Sequence, residues 1–297
     1  MNYNKIDYIK SYIRNISNTN TKPTMTTYIL IDGSYYIFYR MFALINWWKL
    51  SHKDEPCENL HENEEFVEKF RTIFKSKLKE IPKKLKIAKD EPVKFIIGRD
   101  CSRKNIWRNN LYPQYKGTRS DYIDAKNKPG EFFKLVYKEN LFESIEGIDI
   151  NVLYNESLEA DDCLAVCSKY IHKKDENEKI YIITSDTDYL QLLRPNLYLY
   201  NLKYKPVNTV KNTLGCPLKD LLYKIIIGDK SDNIPSVFPK CGPKKTLAYI
   251  NDIESFERDL VTYDGLEQYK LNRRLIDFTE IPDSLVEDMN KQCKLLL

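Results

Sequence analysis

The 297 residues predict an α/β fold with a mostly parallel central sheet flanked by helices. Two observations predict it. Short apolar runs alternate with stretches in which apolar residues recur at helical spacing, the pattern of strand–helix–strand units. The runs carry no polar alternation, as expected of strands covered on both faces. A third observation points to chemistry: acidic residues cluster at or just after the ends of these runs.

Residues 1–25 read as a flexible extension, Thr-rich from Asn18 to Thr27, with Ile6, Ile9, Ile13 and Ile16 at the spacing of a short amphipathic helix. Residues 26–215 read as the α/β core. Its predicted strands are Tyr28–Asp32, Val93–Gly98, Ile148–Leu153, Ile180–Thr184 and Leu197–Asn201. Its predicted helices are Glu64–Ile81, Phe132–Phe142 and Leu158–Ile171. Residues 216–297 read as helical, with a helix Leu221–Ile227 stopped by Gly228 and a hairpin-like stretch Asn233–Lys245 rich in Pro and Lys.

Composition removes several classes. With 42% hydrophobic and 30% charged residues the chain carries enough apolar material for a real core. No apolar run approaches the roughly 18–20 residues of a membrane span, and Met1–Asn20 lacks an apolar signal-peptide core. Seven scattered Cys, an odd count, make no disulfide framework. These features predict a soluble, intracellular protein of a reducing compartment. His52, Cys57 and His61 lack the spacing of a zinc site and read as a chance cluster in a polar loop. The net charge, 47 Lys+Arg against 43 Asp+Glu, names no partner, so a nucleic-acid signal must lie in how charge is distributed.

In open α/β sheets functional groups gather beyond the carboxyl ends of the strands. Asp32 closes the first predicted strand and Asp100 follows the second. Glu159, Asp161 and Asp162 open the helix after the third, and Asp186 and Asp188 follow the fourth. Asp229 and Asp232 come after Gly228. Any one of these motifs reads equally well as a helix cap. Together they would repel one another in a shared cleft unless protons or cations neutralise them. A ligand set made only of oxygen suits Mg²⁺ or Mn²⁺. Two such ions assist in-line phosphoryl displacement, so the acids predict metal-dependent phosphodiester hydrolysis.

Between Arg99 and Arg119 stand Arg99, Arg103, Lys104, Arg108, Lys116 and Arg119 against the single acid Asp100, interleaved with Trp107, Tyr112 and Tyr115. Cations mixed with stacking surfaces suit a nucleic-acid strand. A second basic run, Lys69–Lys94, reads as a solvated helix face.

The motifs stand in a recognisable order: Ile-Leu-Ile-Asp32-Gly-Ser34, then the Asp100 segment ending Tyr115-Lys116-Gly-Thr-Arg119, then Leu158-Glu-Ala-Asp-Asp162, then Thr184-Ser-Asp-Thr-Asp-Tyr-Leu-Gln191, then Ile227-Gly-Asp-Lys-Ser-Asp232-Asn-Ile-Pro235 and Gly242-Pro-Lys244. Over about residues 28–250 this set resembles the 5′ nuclease family of flap endonucleases, phage 5′-3′ exonucleases and the 5′ nuclease domain of bacterial DNA polymerase I. In size the chain resembles the free-standing viral type. The resemblance implies a PIN-like nuclease core with a helical arch, at about residues 101–140, and a C-terminal helix-hairpin-helix segment. It implies DNA cleavage at a 5′ end, flap or nick junction with two Mg²⁺, or Mn²⁺, in replication or repair.

Residue by residue, the resemblance gives Asp32, Asp100, Glu159 and Asp161 to a first metal site, with Asp162 beside them, and Asp186, Asp188, Asp229 and Asp232 to a second. It makes Lys116 and Arg119 the catalytic cations of the arch and puts the terminal base on Phe38 or Tyr39. With the basic run it makes Arg103, Lys104, Arg108 and Tyr115 DNA contacts. Lys240, Lys244 and Lys245 fall in the duplex-gripping hairpin, where the family commonly binds K⁺ through carbonyl oxygens. Here Ser236–Gly242 has one residue more than the family hairpin and lacks two of its glycines, so it must close differently. The tail, ending Lys294-Leu-Leu-Leu297, shows no sliding-clamp motif, and the chain is expected to act as a monomer. The competing readings are a PIN-like ribonuclease and a non-catalytic DNA-junction-binding protein.

Overall fold

In the computed structural model, which describes residues 25–53, 59–118, 128–209 and 213–297, five strands pair side by side and all run parallel. They are β1 (Thr27–Asp32), β2 (Val93–Arg99), β3 (Asp149–Tyr154), β4 (Lys179–Ile183) and β5 (Leu197–Tyr200), in the order β3-β2-β1-β4-β5. The chain steps outward from β1 to β3, then crosses to the other side of β1 for β4. The strand order therefore reverses between β1 and β4, the place where such sheets open a crevice at their carboxyl ends.

Alternate residues of each strand serve opposite layers. Leu30, Ile96 and Ile182 face the layer containing Leu164, Cys167 and Met289, whereas Ile29, Ile31 and Ile97 face Tyr36, Phe70, Phe74 and Phe132. Both faces are dry, which explains the unbroken apolar runs.

The first layer is built from α5 (Ala160–Lys174) and α10 (Asp283–Leu296). The second is built from α1 (Gly33–Ser51), α2 (Glu64–Lys79), the single turn α3 (Ile81–Lys84) and α4 (Pro129–Lys138). The amphipathic α2 buries Phe66, Phe70, Phe74 and Leu78 at helical spacing, and the Asn63 side chain caps it by accepting from the Phe66 N–H at 2.9 Å. The 19-residue α1 has no counterpart among the predicted elements. It buries Tyr36, Met41, Leu44 and Trp48 yet leaves Phe38, Phe42, Trp47 and Leu50 exposed, so apolar residues surround it and blur the periodicity.

The C-terminal part contains α6 (Pro217–Ile227), α7 (Pro243–Asn251), α8 (Ile253–Thr262) and α9 (Leu266–Ile276). Gly228 ends α6 at φ 76°, and a Cβ there would stand 2.4 Å from the Ile234 carbonyl oxygen. Between α6 and α7 the chain makes a hairpin pinned by Asp229 N–H to Ile234 O and Ile234 N–H to Asp229 O, at 2.9 and 2.7 Å. Asn233 and Lys240 take the left-handed conformation at φ 62° and 57°, so the hairpin turns without the missing glycines. The helix α10 returns to the core, where Gln292 donates to the Tyr154 carbonyl at 2.9 Å.

The expected N-terminal helix over Ile6–Ile16, Cys57 and Arg119 lie outside the described residues. The six described cysteines are free thiols. Among the described residues no helix is long and apolar enough to cross a membrane.

Gly98 sets the spacing at the carboxyl edge. A Cβ on it would meet the Ala160 carbonyl oxygen at 2.6 Å and Leu164 Cγ at 2.8 Å. Gly98→Ala is therefore expected to lower stability by about 1–3 kcal/mol through overpacking, read as a shift in the urea midpoint. An unshifted midpoint would show that α5 does not press on β2 this closely.

Candidate metal and nucleic-acid site

Each acid reaches the cleft for a local reason. Asp32 is the last residue of β1 and caps α1, accepting from the Tyr35 N–H at 2.9 Å. Because Asp32 is paired with Gly98, the neighbouring strand β2 runs one residue further and delivers Asp100 just beyond it. Asp100 Oδ1 accepts the Ala160 N–H of α5 at 2.7 Å, and the Ser34 hydroxyl donates to its other oxygen. Thus the α5 N-terminus leans on the acid that closes β2. Glu159 is its N-cap and forms a capping box with Asp162.

Three cations knit these acids together. The buried Arg108 guanidinium grips both oxygens of Asp162 at 2.7 Å, donates to Glu159 Oε2 at 3.0 Å and reaches the Leu275 carbonyl of α9 at 2.8 Å. The Lys116 ammonium bonds Glu159 Oε1 and lies 3.7 Å from Asp232 Oδ2. The Tyr115 hydroxyl donates to Glu159 at 3.0 Å and stands 3.3 Å from Asp232. The third cation, Lys224 of α6, pairs with Asp188, with Asp229 at 2.9 Å and, at 4.0 Å, with Asp186. Ser231 links the two groups, donating to Asp229 Oδ1 at 2.7 Å and standing 3.3 Å from Asp232 Oδ1.

The acids still carry more charge than the cations neutralise. Burial, and then the neighbouring Asp100, push the Asp32 carboxyl up to about 7. Burial also raises Asp100 and, with Asp162 and Glu159 close by, holds Asp161 well above the usual carboxylate range. Asp229 goes the other way: burial would raise it, but Lys224 and Ser231 outweigh that and bring it to about 2.

Among the described residues, ligand atoms of Glu159, Asp161 and Asp162 all lie within 4.8 Å of one another. Asp32 and Asp100 adjoin this set, while Asp186, Asp188 and Asp229 form a second group around Lys224, and Asp232 stands between the two. A divalent cation fits these residues. The donors are all carboxylate oxygens, three of the acids are forced towards protonation, and Asp188 Oδ1 is buried without a hydrogen bond from a neutral donor.

Three expected roles change. Arg108 is 2% exposed and spent on Asp162, Glu159 and Leu275, so it braces the site and does not touch DNA. Tyr115 is buried against Glu159 and Asp232 and is likewise no DNA contact. Asp162 lies within ligand distance of Glu159 and Asp161, but Arg108 takes both its oxygens and Trp107 Nε1 and the Glu159 N–H take Oδ2 again. It serves as the anchor of the α5 turn. Exposed are Phe38, Arg103, Lys104, Lys240, Lys244 and Lys245, with Tyr39 half-buried. Lys245 lies over the rings of Phe238, Tyr249 and Tyr263.

Two features escape the sequence reading. Lys224 sits in an apolar helical run that gives no sign of its partners. Beside Asp100 opens a cleft of about 840 Å³, lined by Ser34, Phe38, Phe133, Lys134, Tyr137 and Arg99, whose guanidinium stacks 4.2 Å from the Tyr137 ring centroid.

Residues 27–215 match the model of the 5′-3′ exonuclease, N-terminal resolvase-like domain. The chain belongs to the 5′-3′ exonuclease family. It is 31% identical to a 5′-3′ exonuclease of Buchnera aphidicola over 246 residues, covering 82% of this chain and 75% of that protein. It is 28% identical to a ribonuclease H of phage T4 over 213 residues, covering 66% of this chain and 68% of that one. In fold it is similar to a bacteriophage T5 5′-exonuclease with bound zinc ions, at a TM-score of 0.62 and 16% identity, covering 91% of this chain and 99% of that one. As a member of this family the chain is a 5′ nuclease.

Two outcomes follow from the site's energetics. Arg108→Gln leaves Asp162 buried without its cation and Glu159 with Lys116 alone, so stability is expected to fall by about 3–5 kcal/mol in urea unfolding; a loss below about 0.5 kcal/mol would return Arg108 to the surface. In chelator, the raised acids bind protons in the folded chain that the unfolded chain has already released. For Asp32 this stabilisation is complete near pH 4 and is lost as pH rises through about 7, amounting to about 1–2 kcal/mol between about pH 5.5 and 7. Urea midpoints in EDTA should fall over that interval, and Asp32→Asn should flatten the fall; a rising midpoint would reverse the sign.

Proposed function

We propose that this 5′-3′ exonuclease family member hydrolyses DNA phosphodiester bonds at or near a 5′ end, flap or nick junction, using two Mg²⁺, with Mn²⁺ able to replace them. One observation carries the reading: acids from three strand ends, from the start of α5 and from the turn after α6 gather at one sheet edge, beside an aromatic and basic groove. Asp32, Asp100, Glu159 and Asp161 would hold one ion, and Asp186, Asp188 and Asp229 the other, with Asp232 between them. Bound there, the ions would supply a nucleophile at neutral pH and offset negative charge that develops in the displacement.

The chain's own residues position the substrate. Phe38, exposed on α1 and 4.8 Å edge-on from Phe133, offers a ring on which a terminal base stacks. Arg99 and Lys134 line the same cleft and meet the phosphates of that strand. Lys116, held between Glu159 and Asp232, can turn its ammonium onto the scissile phosphate once cations relieve those acids, and there it stabilises charge developing in the transition state. Arg119 would add a second cation. Lys240, Lys244 and Lys245, exposed around the N-terminus of α7, suit the duplex backbone.

RNA cleavage is the second reading, favoured by the similarity to the ribonuclease H of phage T4. End-labelled flap, nicked, single-stranded and RNA-containing substrates, each with Mg²⁺ and with EDTA, test both. Release from the 5′ side of DNA junctions in Mg²⁺ supports the proposal, RNA-only cleavage supports the second reading, and metal-independent cleavage contradicts both. Asp186→Asn should abolish cleavage and keep duplex binding in a gel-shift assay; equal loss of both would count against its metal role. Lys116→Ala should lower kcat more than it raises KM, and unchanged turnover would remove it from the chemistry.

A further inference from the structure

We propose that Lys224 is the resident counter-cation of the Asp186, Asp188 and Asp229 group, and that a divalent ion entering there displaces its ammonium to Asp220. The inference rests on the reading of that group as a metal site. It begins with a coincidence of partners. Lys224 Nζ meets Asp188 Oδ1 and stands 2.9 Å from Asp229 Oδ2. These are oxygens that a divalent ion would need, so ion and ammonium compete for one position.

The competition is built into the turn. Lys224 projects from the last turn of α6, and Gly228 reverses the chain so that Asp229 comes back beside it. The Asp229–Ile234 bridge and the Ser231 hydrogen bonds then hold Asp229 in place. Without a cation the second group would bring three carboxylates together unneutralised. With Lys224 it is assembled before metal arrives.

An alternative seat is at hand. Asp220 lies one helical turn earlier on α6, the i, i+4 arrangement with the acid N-terminal that favours an ion pair. Its Oδ1 accepts the Leu214 N–H at 2.7 Å. A cavity of about 290 Å³ is lined by Asp220, Tyr223, Lys224 and Asp229, so the ammonium has a path between the two acids that stays beside polar groups. A passive ion pair would need neither the cavity nor the second acid.

A site closed by its own lysine for about nine-tenths of the time binds its ion about tenfold more weakly than the open site would. Calorimetric titration of the full chain with Mg²⁺, and with Ca²⁺ as a second probe, tests this alongside melting in EDTA. Lys224→Gln, or Lys224→Met if the first does not fold, is expected to melt lower in EDTA and to bind the weaker of two ions about tenfold more tightly. Lys224→Arg, which keeps the charge, should stay near the unsubstituted chain. Asp220→Asn, which removes the seat, should bind that ion severalfold more weakly. Unchanged or weaker ion binding by both uncharged variants, while Asp186→Asn removes one ion from the titration, overturns the proposal and leaves the metal site standing. A titration in which Asp186→Asn changes nothing overturns the metal site, and the proposal with it.

Discussion

Electrostatic repulsion among acids at the carboxyl edge of one parallel sheet is the constraint around which the molecule is arranged. Asp32, Asp100, Glu159, Asp161, Asp186, Asp188, Asp229 and Asp232 approach one another because β1, β2 and β4 end side by side and because α5 and the turn after α6 point into the same edge. Such crowding costs free energy that the fold must offset elsewhere. Arg108, Lys116 and Lys224 offset part of it, each by a different geometry. The buried, bidentate Arg108 is structural, whereas Lys116 and Lys224 hold acids that a metal would also claim. The remainder appears as carboxyl groups displaced towards protonation, Asp32 to about 7.

Fold and site are coupled through few contacts. Gly98 lets the first turn of α5 lie directly on β2, which puts the Ala160 N–H on Asp100. Arg108 joins that same turn to the Leu275 carbonyl of α9, so a segment far along the chain helps to fix Glu159. The backbone of Lys116 donates to the Asp232 carbonyl at 2.9 Å, and Asn233 donates to the Gln114 carbonyl at 2.9 Å, tying the basic segment to the hairpin after α6. The two acid groups are therefore held in register by the chain itself, ahead of any ion.

Much of this was legible in the amino acids. All five strands lie within a residue or two of their apolar runs, because a sheet covered on both faces leaves an unbroken signature. The acids were legible because strand-end position and residue type coincide. The helix α1 was not, since Phe38, Phe42 and Trp47 on its open side erase the polar stripe that marks a surface helix. Arg108 and Tyr115 misled because a cation and an aromatic in a basic run look the same whether they face a strand of nucleic acid or buried carboxylates. Lys224 was silent for a related reason: its partners lie 36 and 5 residues away, and only the fold brings Asp188 and Asp229 to the same ammonium.

Anomalous scattering from crystals of the full chain grown with Mn²⁺ tests the central claim most directly. Two peaks are expected in the cleft, one beside Glu159 and Asp161 and the other beside Asp188 and Asp229, with Asp162 still held by Arg108. Crystals that bind Mn²⁺ only outside this cleft, or none with the acids intact, would contradict the claim that the crowded edge exists to hold cations.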